Sequence, residues 1–189
     1  MTVNTKKRGR PRGTTQQLSP STIVDCTKNL MRSDGKVPSI RKIAGALGVD
    51  AMAIYHYFSS KNALLEAMTV SLIKEIYEPQ GEKPWQEELE SLCKSYLTLL
   101  KNHAGLLETM LAMSTEGPAD VFTRRFHVAL APLDLKEAQL KDALDFLADY
   151  LHGFALAMSC NPKEGELKVD EIDGPLAFYI RALDLEASR

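Results

Sequence analysis

Apolar side chains recur every three or four residues along nearly the whole of this chain, and a glycine, a proline or a capping Ser or Asp marks most places where the rhythm stops. That feature decides the fold class. No long stretch alternates apolar and polar residues, so no strand is expected and the chain reads as all-α, with about nine helices. Ser19 and Pro20 open the first as N-cap and first-turn proline, followed by Ile23, Val24, Thr27, Leu30 and Met31, with Gly35 at its end. Ser39 starts a second helix with Ile40, Ile43, Ala44 and Leu47 on one face, stopped by Gly48. Asp50 caps a third over residues 51–57. Ser60 caps a fourth whose stripe is Leu64, Leu65, Met68, Leu72 and Ile76. Beyond the loop 79–84 the pattern resumes at residues 85–100, 106–113 and 121–130. It then runs through the long segment 136–159, and Pro175 opens a last helix through Leu176, Phe178, Tyr179, Ile180 and Leu183.

Charge divides the chain. Residues 1–77 hold 12 Lys/Arg against 5 Asp/Glu, a net +7, while residues 78–189 hold 11 against 20, a net −9; together they give the overall −2. A basic first third on an acidic body suggests that one end meets a polyanion. Three units are expected: a disordered basic arm over 1–17, a compact helical head over 18–77 and a larger helical body over 78–189. No apolar run approaches the roughly 18 residues of a membrane span. The basic start has no apolar block behind it, so a secretory signal is not expected. Cys26, Cys93 and Cys160 lie far apart without a CxxC, which argues for a reducing cytoplasm and against a zinc site. There is no G-x-S-x-G, P-loop or G-x-G-x-x-G, so an enzyme is disfavoured and no cofactor or metal is expected.

Within residues 39–57, a helix, a tight turn at Gly48 and a short second helix form a pattern with a physical logic. Ala44 is small where the helices cross, Gly48 permits a sharp turn, and Val49 plugs the angle. Ile43-Ala44, Leu47-Gly48-Val49, Ile54-Tyr55-His56-Tyr57-Phe58 and Ser60-Lys61 before Leu64-Leu65 together resemble the amino-terminal signature of TetR-family transcriptional regulators. The resemblance covers roughly residues 20–70. It implies an N-terminal helix-turn-helix domain that binds double-stranded DNA and a C-terminal helical domain for ligand binding and dimerisation. A homodimer would then sit on a pseudo-palindromic operator, most often as a repressor, until a small-molecule effector releases it.

Carried over residue by residue, Tyr55, His56, Tyr57 and Lys61 fall at phosphate-contacting positions. Ser39, Arg41 and Lys42 fall at the start of the second helix, and Ala51, Met52 and Ala53 at the base-facing start of the third. These last three cannot hydrogen-bond a base edge through their side chains, but they can press on thymine methyl groups. T-rich half-sites are therefore expected, with Arg41 or Lys42 as the polar reader. In the arm, Arg8-Gly9-Arg10-Pro11, followed by Arg12, resembles the core of an AT-hook, and Arg8, Arg10 and Arg12 suit a narrow A·T minor groove. The alternative is a solvated tail that adds non-specific affinity.

In the body, Trp85, Tyr96, His103, Met110, Met113, Phe122, Phe126 and Phe146 are candidates to line an apolar or aromatic effector pocket, although each taken singly reads more readily as core than as pocket. His103, His127 and His152 could orient a polar group. Residues 150–158 are apolar nearly all round, and Gly153 and Ala157 would let another helix approach. With the last helix they suggest a two-fold interface made by Tyr150, Gly153, Phe154, Ala157, Phe178, Tyr179 and Leu183, unless both helices are covered within one chain. A body that docks a protein instead of a small effector is the remaining rival.

Overall fold

Four side-chain caps lay out the head. The computed structural model of the chain describes residues 18–103, 105–112, 116–160 and 167–188. Ser19 Oγ accepts from the Thr22 amide and starts α1 (Pro20–Asp34), which ends at Gly35 in the left-handed region, φ 64°. Ser39 Oγ accepts from the Lys42 amide and starts α2 (Ile40–Leu47). Asp50 accepts from the Met52 amide and starts α3 (Ala51–Tyr55), and Ser60 accepts from the Ala63 amide and starts α4 (Lys61–Ser71). Each cap satisfies an amide that the helix itself leaves unpaired. Ile23, Met31, Ile43, Ile54, Leu64 and Met68 meet in the head's interior, essentially without exposure.

The body is built from α5 (Trp85–Asn102), α6 (Leu106–Ala112), α7 (Pro118–Leu130), α8 (Glu137–Cys160) and α9 (Asp173–Ala187), with 3₁₀ turns at Ile73–Glu75, Ala131–Leu133 and Val169–Ile172. Nine α-helices and no strand occur among the described residues. Two expected boundaries move. The third helix stops at Tyr55, because the chain tightens (Tyr57 N–H to Ile54 O, 3.0 Å) to turn Phe58 into the core. The fourth stops at Ser71 and continues as the 3₁₀ turn that carries Ile76 inward.

Head and body share one continuous apolar cluster, and the strand of chain between them is clamped from three sides. Arg125 on α7 donates to Ile76 O at 2.5 Å and to Glu78 at 3.2 Å. Arg32 on α1 donates to both Glu75 carboxylate oxygens at 3.0 Å. Ser95 Oγ on α5 accepts from the Tyr77 amide at 2.8 Å, and Glu88 accepts from the amides of Gln80 and Gly81. The connection is therefore a fixed joint. No helix among the described residues is long and apolar enough to cross a membrane.

Candidate nucleic-acid interface

The turn between α2 and α3 begins from local chemistry. Gly48 sits at φ 67°, a conformation that costs an L side chain roughly 1–2 kcal/mol. The Val49 amide then closes on Ala44 O at 3.0 Å. Ile43 and Ala44 of α2 and Ile54 of α3 face inward, so what remains outside is the set expected to meet DNA. Arg41, Lys42, Tyr55, His56 and Tyr57 are exposed, and Lys61, the first residue of α4, is half-buried. Ser39 spends its hydroxyl as the α2 cap.

Along the start of α3 the three apolar residues are unequal. Met52 protrudes, 63% exposed, whereas Ala51 and Ala53 are half-buried. Two polar candidates are already engaged. Lys42 Nζ donates to Asp34 and holds that carboxyl below the usual carboxylate range, while Arg41 has no ion pair among the described residues. The Tyr57 hydroxyl donates to Leu18 O at 2.9 Å. This bond was not legible in the sequence, because its partner is a backbone carbonyl 39 residues away. It ties the root of the arm beside the end of α3. Arg8, Arg10 and Arg12 lie outside the described residues.

The aromatic candidates of the body divide. Tyr96, Phe122 and Phe126 are packed ring on ring in the interior, with centroids 4.6 Å apart for Tyr96–Phe122 and 6.4 Å for Phe122–Phe126. The Tyr96 hydroxyl and His152 Nε2 are 3.0 Å apart, and burial lowers the His152 pKa against the opposing charge of Asp149. Met110 is buried and Trp85 half-buried; Met113 lies outside the described residues. His103 is buried at the end of α5, away from exposed His127. Phe146 departs from the expected pocket set. It is 66% exposed and stacks at 6.0 Å, nearly parallel, on Tyr179.

That stacking reveals two apolar faces on each of the last two long helices. On α8, Leu147, Leu151, Ala155 and Met158 point inward, while Phe146, Tyr150, Gly153 and Ala157 form an outer stripe at steps of four, three and four. On α9, Leu176, Ile180 and Leu183 point inward and Phe178, Ala182 and Leu185 outward. Tyr179 and Leu183, expected at a subunit interface, are therefore buried within this chain, and the Tyr179 hydroxyl donates to Ala143 O at 2.8 Å. Phe154 is half-buried and Phe178 is 70% exposed. A shallow apolar cleft of about 190 Å³ lies between the outer faces, lined by Phe146, Tyr150, Pro175 and Phe178 among others.

Among the described residues no three His, Cys, Asp or Glu side chains are grouped to hold a metal. Residues 37–68 match the family described as bacterial regulatory proteins, tetR family, and residues 78–172 match the tetracyclin repressor-like C-terminal domain. A relative from Streptomyces coeruleorubidus, the HTH-type transcriptional repressor DrrR1, is 24% identical over 148 residues, covering 76% of this chain and 55% of that protein. The chain thus spans about half the length of this curated relative. In fold it is similar to BioQ, solved with its double-stranded DNA operator (TM-score 0.70, 19% identical, 92% of this chain and 100% of that one). It is also similar to ActR of Streptomyces coelicolor, solved with actinorhodin (TM-score 0.71, 19% identical, 91% and 99%). With both its head and its body matched, the chain belongs to the TetR family of bacterial transcriptional regulators, which are DNA-binding proteins rather than enzymes.

Proposed function

We propose that the chain acts as a cytoplasmic homodimeric repressor that binds a pseudo-palindromic operator through two copies of α3 and is released by a small apolar or aromatic effector. The observation that carries the dimer is the double-faced pair α8 and α9. Their inner stripes cover the body, and their outer stripes, from Phe146 to Ala157 and from Phe178 to Leu185, are left uncovered within one chain. Exposed apolar surface of this extent marks an interaction site, and a self-complementary helix pair fits a two-fold axis. At Gly153 a Cβ would meet nothing within 4 Å in this chain, which leaves the close approach to a helix of the second copy.

On DNA, Met52 presses on thymine methyl groups and Arg41 supplies the polar contact, because Lys42 is held by Asp34. Tyr55, His56 and Lys61 contact phosphates, the last at the positive end of the α4 dipole. The arm carrying Arg8, Arg10 and Arg12 leaves from Leu18 beside α3, where a neighbouring A·T minor groove is within reach. Repression is supported by the relative named a repressor, and a small effector by ActR, solved with actinorhodin. Selection of bound duplexes from a random pool tests the reading. Inverted repeats with T-rich half-sites are expected. G/C-rich half-sites, or single unpaired sites, contradict it.

A further inference from the structure

Two charges in the head stand at the wrong ends of their helices. Asp34 is the last residue of α1, where unpaired carbonyls carry partial negative charge, and Lys42 lies in the first turn of α2, at its positive amide end. Neither helix is stabilised by the charge it carries there. What accounts for them is each other: Lys42 Nζ donates to the Asp34 carboxylate across the loop that joins α1 to α2. The acceptor is recessed, its side chain 20% exposed against 48% for Lys42, and Ser33 Oγ donates to its other oxygen at 3.4 Å. Lys36, in that loop, is a second cation near it.

Lys42 differs in this from its neighbour. The exposed residues of α2 are Arg41, Lys42, Gly45 and Ala46, so the two cations are the long side chains of its outer face. A Cβ at Gly45 would meet nothing within 4 Å, which leaves that face bare beneath them. Arg41 has no ion pair among the described residues, whereas Lys42 has one. Phosphates laid along this face meet the full charge of Arg41 but, at Lys42, a charge that a carboxylate already answers. An exposed pair of this kind is weak, so it restrains Lys42 without locking it.

We propose that Asp34 is a positioning residue that limits DNA affinity: it holds Lys42 off the phosphates, so that each head meets the DNA backbone with one cation fewer than its sequence carries. The assignment rests on the reading of α2 and α3 as the helices that face DNA. Phosphate contacts carry no base information, so the restraint bears equally on the operator and on unrelated duplex. Removing the carboxylate charge frees Lys42 to displace a counterion from the duplex, which both tightens binding and makes it more sensitive to salt.

Anisotropy titration of the full chain with the selected duplex and with an unrelated duplex of equal length, at several salt concentrations between about 50 and 200 mM, tests the assignment. Asp34→Asn keeps the size of the side chain and removes its charge. It is expected to tighten both duplexes about threefold per head, or about tenfold where two heads bind, and to steepen the log–log salt slope by about 0.9 per head. Asp34→Glu, which keeps the carboxylate, is expected to stay within about twofold of the unaltered chain. On a Lys42→Met background the same Asp34→Asn change is expected to gain less than about threefold in all, because no lysine is there to be freed. Loss of a merely structural contact would weaken binding or leave it alone, so a gain is specific to this role. Unaltered or weaker binding by Asp34→Asn overturns the proposal, while DNA binding by the chain stands. An equal gain on the Lys42→Met background also overturns it, and shows the carboxylate acting by its own repulsion of phosphate. If neither the unaltered chain nor Asp34→Asn binds any duplex, the DNA-binding reading falls and the assignment falls with it.

Discussion

Head and body are held by different kinds of interaction. Each of the four head helices starts at a side chain that caps it two or three residues onward, and Gly35 and Gly48 end two of them in the left-handed region. The body helices depend on partners far away in sequence. α5 follows Pro84 with no side-chain cap, and α7 follows Gly117, which has no side chain to cap with, so that only Asp120 reaches back to accept from the Gly117 amide. Tyr96 meets His152 56 residues on, Arg125 reaches back 49 residues to Ile76, and Tyr179 reaches Ala143 36 residues before it. Local chemistry specifies a surface that must present particular side chains to DNA. Non-local packing leaves the body free to vary its interior and its outer faces.

Four measurements sharpen or break this contrast. The largest effect is expected in the body: Phe126→Ala, which empties a fully buried ring position, should cost about 3–5 kcal/mol in denaturant unfolding. A loss under about 1 kcal/mol would mean that the aromatic stack is not what holds the body together. Next, Phe146→Glu with Phe178→Glu places charges on the outer stripes alone. The chain should become a folded monomer and lose about a hundredfold in duplex affinity, read by sedimentation and by DNA titration. In the head, Ser60→Ala should cost about 1 kcal/mol by removing the α4 cap, against a few tenths for the exposed Thr98→Ala. Equal losses would break the distinction.

The smallest change concerns pH. Burial holds His103 and His152 below the ordinary histidine value, so below about pH 6.5 the unfolded chain binds protons that the folded chain refuses. Their contribution to stability is complete above that pH and declines as pH falls. His103→Leu combined with His152→Phe should flatten the dependence of melting temperature on pH between about 7 and 5.5. An unaltered slope shows that these rings are not the groups titrating.

What the sequence disclosed follows the same division. The helix order, the turn at Gly48 and the caps at Ser19, Ser39, Asp50 and Ser60 were readable because each depends on neighbours within a few residues. The end of α3 was not, since Phe58 turns inward to a core built by other helices. Phe146 read as a pocket residue, and Tyr179 and Leu183 as interface residues. Periodicity marks a helix apolar on two sides without saying which side faces its own chain. Lys42 and Tyr57 read as free to meet DNA, and only the folded head shows them engaged by Asp34 and by Leu18 O. His103 was visible as a residue, but its full burial without a hydrogen-bond partner among the described residues, with Glu75 3.8 Å away, follows from the joint between the two regions.

The central claim is that two of these heads, joined through the outer stripes of α8 and α9, occupy one operator. Sedimentation of the full chain with a selected duplex at low ionic strength measures this directly. The account predicts a free dimer and a complex of two chains per duplex. A monomer that leaves the duplex sedimenting alone would contradict it.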